Sequence, residues 1–423
     1  MTGGGTAQDY VGFSTRAAFV TWASGKTPSV GTVIGAAGMD YRYTGSGTVI
    51  SDLPGWVPAG SAYPDHWAQN TTPGTTDMAS AIISCAASFN PVCFLPVVYA
   101  VGQKISLNKT NLDGAAMDGP VATVLRGLSA SIPIADPILA LGGKAAARRM
   151  RIEYDTLSGA ETSGQREGLV LYDITGGNAL QRGAVIDEVY FNKVGTAIND
   201  RASSPFNVTF GTITIEEYSY AAVIMTGTSR TGNIFTNLRV SSTSYTPTYG
   251  VQFFGGTGEE IRQVNIEHAA FKEAALDCDG ASALVIGKLH LEGVDTANTD
   301  RGYINLRNTN ATFDTVVAVN TRMTTYNNAS VFKFGRAGSL PTGAASRNSV
   351  QLQSTIQIGE LFLQGLSDPS SVVYPTYPAG RRGVSTIPGF TVFRRDPSFT
   401  DANFRVSVHQ YSCLLYTSDA ADE

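Results

Sequence analysis

Apolar residues in the middle of the chain fall into short alternating triplets that recur at a nearly constant interval. Val189-Tyr190-Phe191, Ile213-Thr214-Ile215, Leu238-Arg239-Val240, Val264-Asn265-Ile266, Leu289-His290-Leu291 and Val317-Ala318-Val319 are centred at 190, 214, 239, 265, 290 and 318, giving steps of 24, 25, 26, 25 and 28. Apolar–variable–apolar is the alternation of a strand with one buried face. A repeat of about 25 residues is one coil of a solenoid, because a coil cannot bury its apolar face until neighbours stack on it. The pattern predicts an all-β chain built as a parallel β-helix.

The regular run spans 183–335, ending near Phe332-Lys333-Phe334, with a further strand from Ile358 to Leu363 after a Gly/Ser-rich break at 335–349. From 108 to 180 the coils are irregular, with strands expected at Thr123-Val124-Leu125, Ile138 to Leu141, Arg151 to Tyr154 and Leu169 to Tyr172. Two helices stand ahead of them. Ser14-Thr15 caps a short helix that carries Phe19, Val20 and Trp22, and Thr76 or Asp77 can cap a second over 75–88, with Ala81, Ile82, Cys85 and Ala86 on one face. Residues 1–62 read as a small head, with too little apolar surface to be stable unless packed on something else. Residues 63–366 read as the solenoid, and the Pro/Tyr/Arg-rich text of 367–412 as the start of a different C-terminal module, incomplete here.

Composition agrees with a turn-rich β protein. Glycine supplies 45 of 423 residues and charged residues only 15%, against usual shares of ~7% and ~25%. No basic run marks a nucleic-acid or anionic-membrane surface, no apolar run approaches the ~18 residues of a membrane span, and the N-terminus lacks the pattern of a secretory signal. The expectation is a soluble protein made in the cytosol. The last eleven residues, 413–423, look like the translation of a sequencing adapter, which implies a reading frame broken off near Ser412. Those residues carry three acids and no base, so without them the net charge moves from 30 − 35 = −5 to 30 − 32 = −2. Cys85, Cys93 and Cys278 remain, without metal-ligand spacing, and read as free thiols.

The stretch from Asp65 to Leu107 resembles a known opening. Asp65, Ala68, Thr76, Asp77, Ala81 and Ile82, then Val92, Phe94, Leu95, Pro96, Tyr99, Val101, Ile105 and Leu107, match the start of the pectate-lyase-like β-helix of bacteriophage tailspike and tail-fibre proteins. Val97-Val98 departs from the glycine usual there, and Gly55-Trp56-Val57-Pro58 is similar to tailspike head segments. The resemblance implies a right-handed pectin-lyase-like helix whose first coil is capped by the 75–88 helix. It also implies a homotrimer in the virion tail that binds, and often cleaves, host surface polysaccharide, with a head that joins other tail or baseplate proteins. It brings no cofactor and no membrane insertion.

Stacking the triplets in register places chemistry in two columns. The middle residues Tyr190, Thr214, Arg239, Asn265, His290 and Ala318 point outward, and the residue after each triplet is polar: Asn192, Glu216, Ser241, Glu267, Glu292 and Asn320. Neighbouring rungs lie about 4.7–4.9 Å apart, so Glu267 and Glu292 become neighbours and Glu216 stands roughly 9–10 Å from Glu267. Two carboxyls at such separations are the machinery of glycoside hydrolysis. Glu267, Glu292 and Glu216 are therefore the candidate catalytic groups. Arg239, His290, Asn265 and Tyr190 are the candidate substrate-binding groups, with His268 beside the acid pair and Tyr218 and Tyr220 as further aromatic faces. The alternative is a structural ladder of acids and amides that satisfies turn backbone, as Asn192 and Asn320 suggest. Glu259-Glu260 reads as loop and Asp277 and Asp279 as a polar turn. No metal site, phosphate loop or Ser-His-Asp signature is present. Three functions stay open: a depolymerising glycosidase, a non-catalytic tail adhesin, and a secreted polysaccharide lyase.

Overall fold

The computed structural model describes residues 12–172, 183–202, 206–226, 230–296, 303–307 and 309–319, with the backbone of 332–334, 355–364, 373–375 and 391–394. The end of the expected C-terminal module and the tail at 413–423 lie outside them.

The chain forms a right-handed parallel β-helix of about 11 turns. Each coil visits three faces. In one central coil, face A is Phe235, face B is Leu238–Ser241 and face C is Tyr249–Phe254. Every neighbouring coil pairs with it in parallel.

A compact rule sets the register. The apolar residues that point inward sit at i on face A and at i+3 and i+5 on face B. Ala147, Ile186, Phe210, Phe235, Ile261, Ile286 and Phe313 stack in one column on face A, and Ile358 pairs with Phe313 in the same backbone register. Met150/Ile152, Val189/Phe191, Ile213/Ile215, Leu238/Val240, Val264/Ile266 and Leu289/Leu291 stack in the next. Nearly all are fully buried, at about 1.5–3 kcal/mol for a side chain of this size. Phe210 and Phe235 stack face to face at 4.1 Å, so like sits on like from rung to rung.

The same rule corrects the sixth triplet. Leu289 pairs with Val316, not Val317, so Val317 lies beside His290 and Val319 beside Glu292. Phe313 fixes this by sitting on Ile286, and three residues on from Phe313 comes Val316. Ala318, expected opposite the middle residues of the other triplets, pairs instead with Leu291, and Asn320 lies outside the described residues. Beyond 366, Val373–Pro375 and Thr391–Arg394 continue the ladder, in parallel register with Phe332–Phe334 and Glu360–Leu363.

Tight corners separate the faces. Directly after face B, Lys193, Glu217, His268 and Gly293 hold φ between 49° and 60°, a left-handed turn that costs non-glycine residues about 1–2 kcal/mol. At Gly293 glycine serves a second purpose, because a Cβ there would meet His268 Nδ1 at 2.9 Å.

The head is a four-stranded sheet. β1 (Gly12–Phe13) runs parallel to β2 (Val33–Ala36), which pairs antiparallel with β3 (Met39–Tyr43), and β3 with β4 (Trp56–Pro58). Helix α1 (Arg16–Ala23) is capped by Thr15 and buries Phe19 against Tyr41 and Trp56. Arg16 then ties the head to the solenoid's start: it donates to Asp52 at 2.7 and 2.5 Å and to the His66 carbonyl at 2.8 Å. His66 is itself buried, with its ring nitrogens on Tyr63 and the Asp40 carbonyl.

Helix α2 (Ala79–Ser88) covers the first coil with Ala79, Ala81, Ile82 and Cys85. It begins later than the expected 75, because Asp77 is committed to a bridge with Ala100. The Asp77 carboxylate nevertheless anchors the helix, accepting from Ala79 N at 3.0 Å and Gly102 N at 2.9 Å. Cys85 and Cys278 are buried free thiols and Cys93 is half-buried.

Two outcomes are expected. Asp77→Ala removes both anchors and costs about 1 kcal/mol, read as a lower urea midpoint. Gly102→Ala acts in the same direction, since a Cβ there meets Asp77 Oδ2 at 2.5 Å. The second concerns pH. Burial holds His66 below its ordinary value of 6.5, so below that pH the unfolded chain takes up a proton that the folded chain refuses. Stability is full above 6.5 and falls as the pH drops toward 5.5. In His66→Gln the urea midpoint should change less between pH 7.5 and 5.5 than in the unsubstituted chain.

Candidate functional site

Outward residues alternate with the buried ones, so the register that fills the core also paves the outside of face B. One outward column runs Arg151, Tyr190, Thr214, Arg239, Asn265, His290 and Val317. The next runs Arg126, Glu153, Asn192, Glu216, Ser241, Glu267 and Glu292. The expected acids thus stand in one line: Glu267 and Glu292 on adjacent rungs, and Glu216 two rungs from Glu267, across Ser241.

The polar groups along this face are joined to one another. Arg239 Nη2 donates to Glu267 Oε2 at 3.3 Å, and His290 Nε2 lies 3.1 Å from Glu292 Oε2. Glu267 is the more sheltered acid, its side chain 18% exposed against 39% for Glu292. Asn265 sits half-buried between Arg239 and His290 in the same column, touched by Gln263 at 3.4 Å.

Tyr190 is held differently from a bare stacking platform. Its hydroxyl donates to Glu216 Oε2 at 2.6 Å, and the Arg151 guanidinium lies 4.9 Å over its ring. Burial, reinforced by the bond to Glu216, pushes the phenol above its ordinary value, so the proton stays on Tyr190 while Glu216 accepts.

Other expected groups fall elsewhere. Tyr218 is fully buried, because it occupies an inward position opposite Val194, and its face is closed to ligand. Tyr220 is half-buried and packs edge-on to Tyr249. His268 is exposed at the left-handed corner that follows Glu267, an extra residue in the pairing of Ser241–Ser242 with Glu267–Ala269.

Two loop readings are corrected. Glu259 is buried rather than in a solvated loop, 3.4 Å from the buried Arg230. Burial pushes its carboxyl up and the Arg230 guanidinium down, while each opposes the shift in the other. Asp277 is not in a polar turn either. It lies buried on face C and accepts from Gln252 at 3.0 Å and Asn305 at 2.5 Å, on the rungs either side. Among the described residues no group of three His, Cys, Asp or Glu is placed to hold a metal ion, and no helix is long and apolar enough to cross a membrane.

On the two rungs before Tyr190 the sequence reading expected strands, at Thr123–Leu125 and Arg151–Tyr154, but no site residues. There Glu153 takes Arg126 Nη2 at 2.7 Å and Arg151 Nε at 2.6 Å. The signal was present: Ala147, Met150 and Ile152 obey the i, i+3, i+5 rule, but the coil that follows is 39 residues long from Ala147 to Ile186 and hides the period.

No family model matches the chain, and no curated protein matches its sequence. Among solved structures, the enzymatically active domain of tailspike protein 2 of bacteriophage CBA120 aligns with a TM-score of 0.62 at 12% identity, over 92% of this chain and 58% of that one. The gp42 tailspike of Acinetobacter phage vb_AbaP_AS12 aligns with a TM-score of 0.59 at 11% identity, over 86% and 65%. Full-length tailspike protein 2 of an Escherichia coli O157:H7 bacteriophage gives 0.59 at 12% identity, over 90% and 51%. The chain therefore spans between about half and two thirds of the length of these structures. Its fold is the right-handed β-helix of the phage tailspikes.

Proposed function

We propose that this chain is a tailspike-like component of a phage tail that binds host surface polysaccharide along face B and hydrolyses it. In this reading it works as a homotrimer, and the head (residues 1–62) joins other tail proteins. The observation that carries the proposal is the vertical alignment of Glu267 and Glu292 on adjacent rungs. A rung of about 4.8 Å is close to the ~5–5.5 Å between carboxyls of retaining glycosidases.

The partners suggest roles. Glu267, more sheltered and touched by the permanent cation Arg239, would attack the anomeric carbon. Glu292, beside a histidine able to relay a proton, would protonate the leaving oxygen and then activate water. Arg239, Asn265 and His290 would bind sugar hydroxyls across the intervening column. Glu216 with Glu267, two rungs or roughly 9–10 Å apart, fits the upper end of the inverting range of ~6.5–9.5 Å, but Glu216 is occupied by Tyr190.

A binding-only adhesin has its own support. Glu153, Glu216, Glu267 and Glu292 each already hold a partner within the face, as a self-satisfied docking surface would.

The test is release of reducing ends from purified bacterial O-chain or capsular polysaccharide. Glu267→Gln and Glu292→Gln should each lower turnover by about 10²–10⁴-fold while the polymer still binds. Turnover by the unsubstituted chain that is indifferent to both changes sinks the assignment of these residues, and persistent binding without any turnover favours the adhesin. NMR of the first product should show retained anomeric configuration; inversion would move the chemistry to the Glu216–Glu267 pair.

A further inference from the structure

Glu153 is one carboxylate shared by two arginines. Arg126 reaches Oε1 with Nε at 2.8 Å and Nη2 at 2.7 Å, and Arg151 Nε lies 2.6 Å from Oε2. Glu153 is nearly buried, its side chain 6% exposed, so its charge is spent on this pair. Two guanidiniums against one carboxylate leave the triad with one net positive charge.

The spare donors belong to Arg151. Its Nε lies 2.6 Å from Glu153 Oε2 as an ion pair, without the alignment of a hydrogen bond, and its Cζ lies 4.9 Å over the Tyr190 ring, so the guanidinium is held between a carboxylate and an aromatic face. No described side chain accepts from its Nη1 or Nη2, and the side chain is 26% exposed. Holding the fork in place removes most of the ordering cost of using it. Tyr190 in turn is fixed by its bond to Glu216, so a continuous chain of contacts from Arg126 to Glu216 supports one outward-facing pair of N–H groups. Asp118 is the other acid whose charge reaches Tyr190.

We infer that Arg151, backed by Arg126, Glu153 and Tyr190, is a subsite for a carboxylate on the bound polymer, which makes the substrate an acidic polysaccharide containing uronate-type sugars. A planar carboxylate matches a fixed guanidinium fork bidentately. The subsite lies four rungs from Glu267, about 19 Å at the spacing of neighbouring strands, on the same face and in the neighbouring column. The inference rests on the reading of face B as a glycan-binding surface.

The experiment is an array of purified bacterial O-chains and capsules, neutral, phosphate-substituted and uronate-bearing, with carboxyl-reduced copies of the uronate polymers. It is probed with the unsubstituted chain, Arg151→Gln and Arg151→Lys, each checked for its circular dichroism and melting. The expected result is retention of uronate polymers that weakens with salt, is lost on carboxyl reduction, and falls about tenfold or more in Arg151→Gln. Arg151→Lys should recover part of that loss, since it keeps charge without the fork. Retention of neutral or phosphate-bearing polymers alone, indifference to carboxyl reduction, or a folded Arg151→Gln that binds like the unsubstituted chain overturns the subsite and leaves glycan binding standing. An array with no polymer retained counts against both readings.

Discussion

Three inward residues on faces A and B of each coil, at i, i+3 and i+5, carry the constraint on which the molecule depends. An apolar side chain gains its burial only when the rung above places another in line with it. Pairing Phe210 with Phe235, or Val264 with Leu289, therefore fixes the backbone register as well as filling the core. Because side chains alternate across a strand, fixing what points in also fixes what points out. Glu267 and Glu292 are aligned because Ile266 and Leu291 are buried.

The outer face meets the cost of crowding charge by pairing it. Acids stacked at one-rung spacing would repel, and each is answered by a neighbour in the adjacent column: Arg151 for Glu153, Tyr190 for Glu216, Arg239 for Glu267, His290 for Glu292. The Arg239–Glu267 and His290–Glu292 contacts are partly solvated, so each contributes little to stability, on the order of 0–1 kcal/mol for exposed ion pairs. Their value is positional. By contrast, Arg230 and Glu259 are taken out of water altogether, where removal of either partner would strand a buried charge.

Most of the fold was legible in the sequence because period and alternation are local, one-dimensional signals. Asp65 to Leu107 and the triplets from Val189 to Leu291 were readable for that reason. Val317 was misread because Val316, Val317 and Val319 are all apolar, and only the partner rung, through Phe313 on Ile286, decides which of them faces inward. The candidate site was readable as columns but not as contacts. Neither the bond from Tyr190 to Glu216 nor the burial of Tyr218 and Asp277 leaves a trace in spacing, since both depend on which corner the chain turns before reaching them. Arg126, Arg151 and Glu153 were overlooked because coil length, unlike the inward rule, is irregular in that stretch.

That irregularity has an evolutionary corollary. Successive face A residues are separated by 24 to 27 residues through most of the solenoid, yet by 39 from Ala147 to Ile186 and 45 from Phe313 to Ile358, and the rungs meet in register all the same. Between Tyr154 and Glu167 the longer connection over 155–166 rejoins the ladder without moving a rung, and lengthening such an excursion adds only slowly to its closure entropy. Banks of different height can thus be raised beside an unchanged floor, so sequence change at the corners can reshape the outer face without renegotiating how the protein folds.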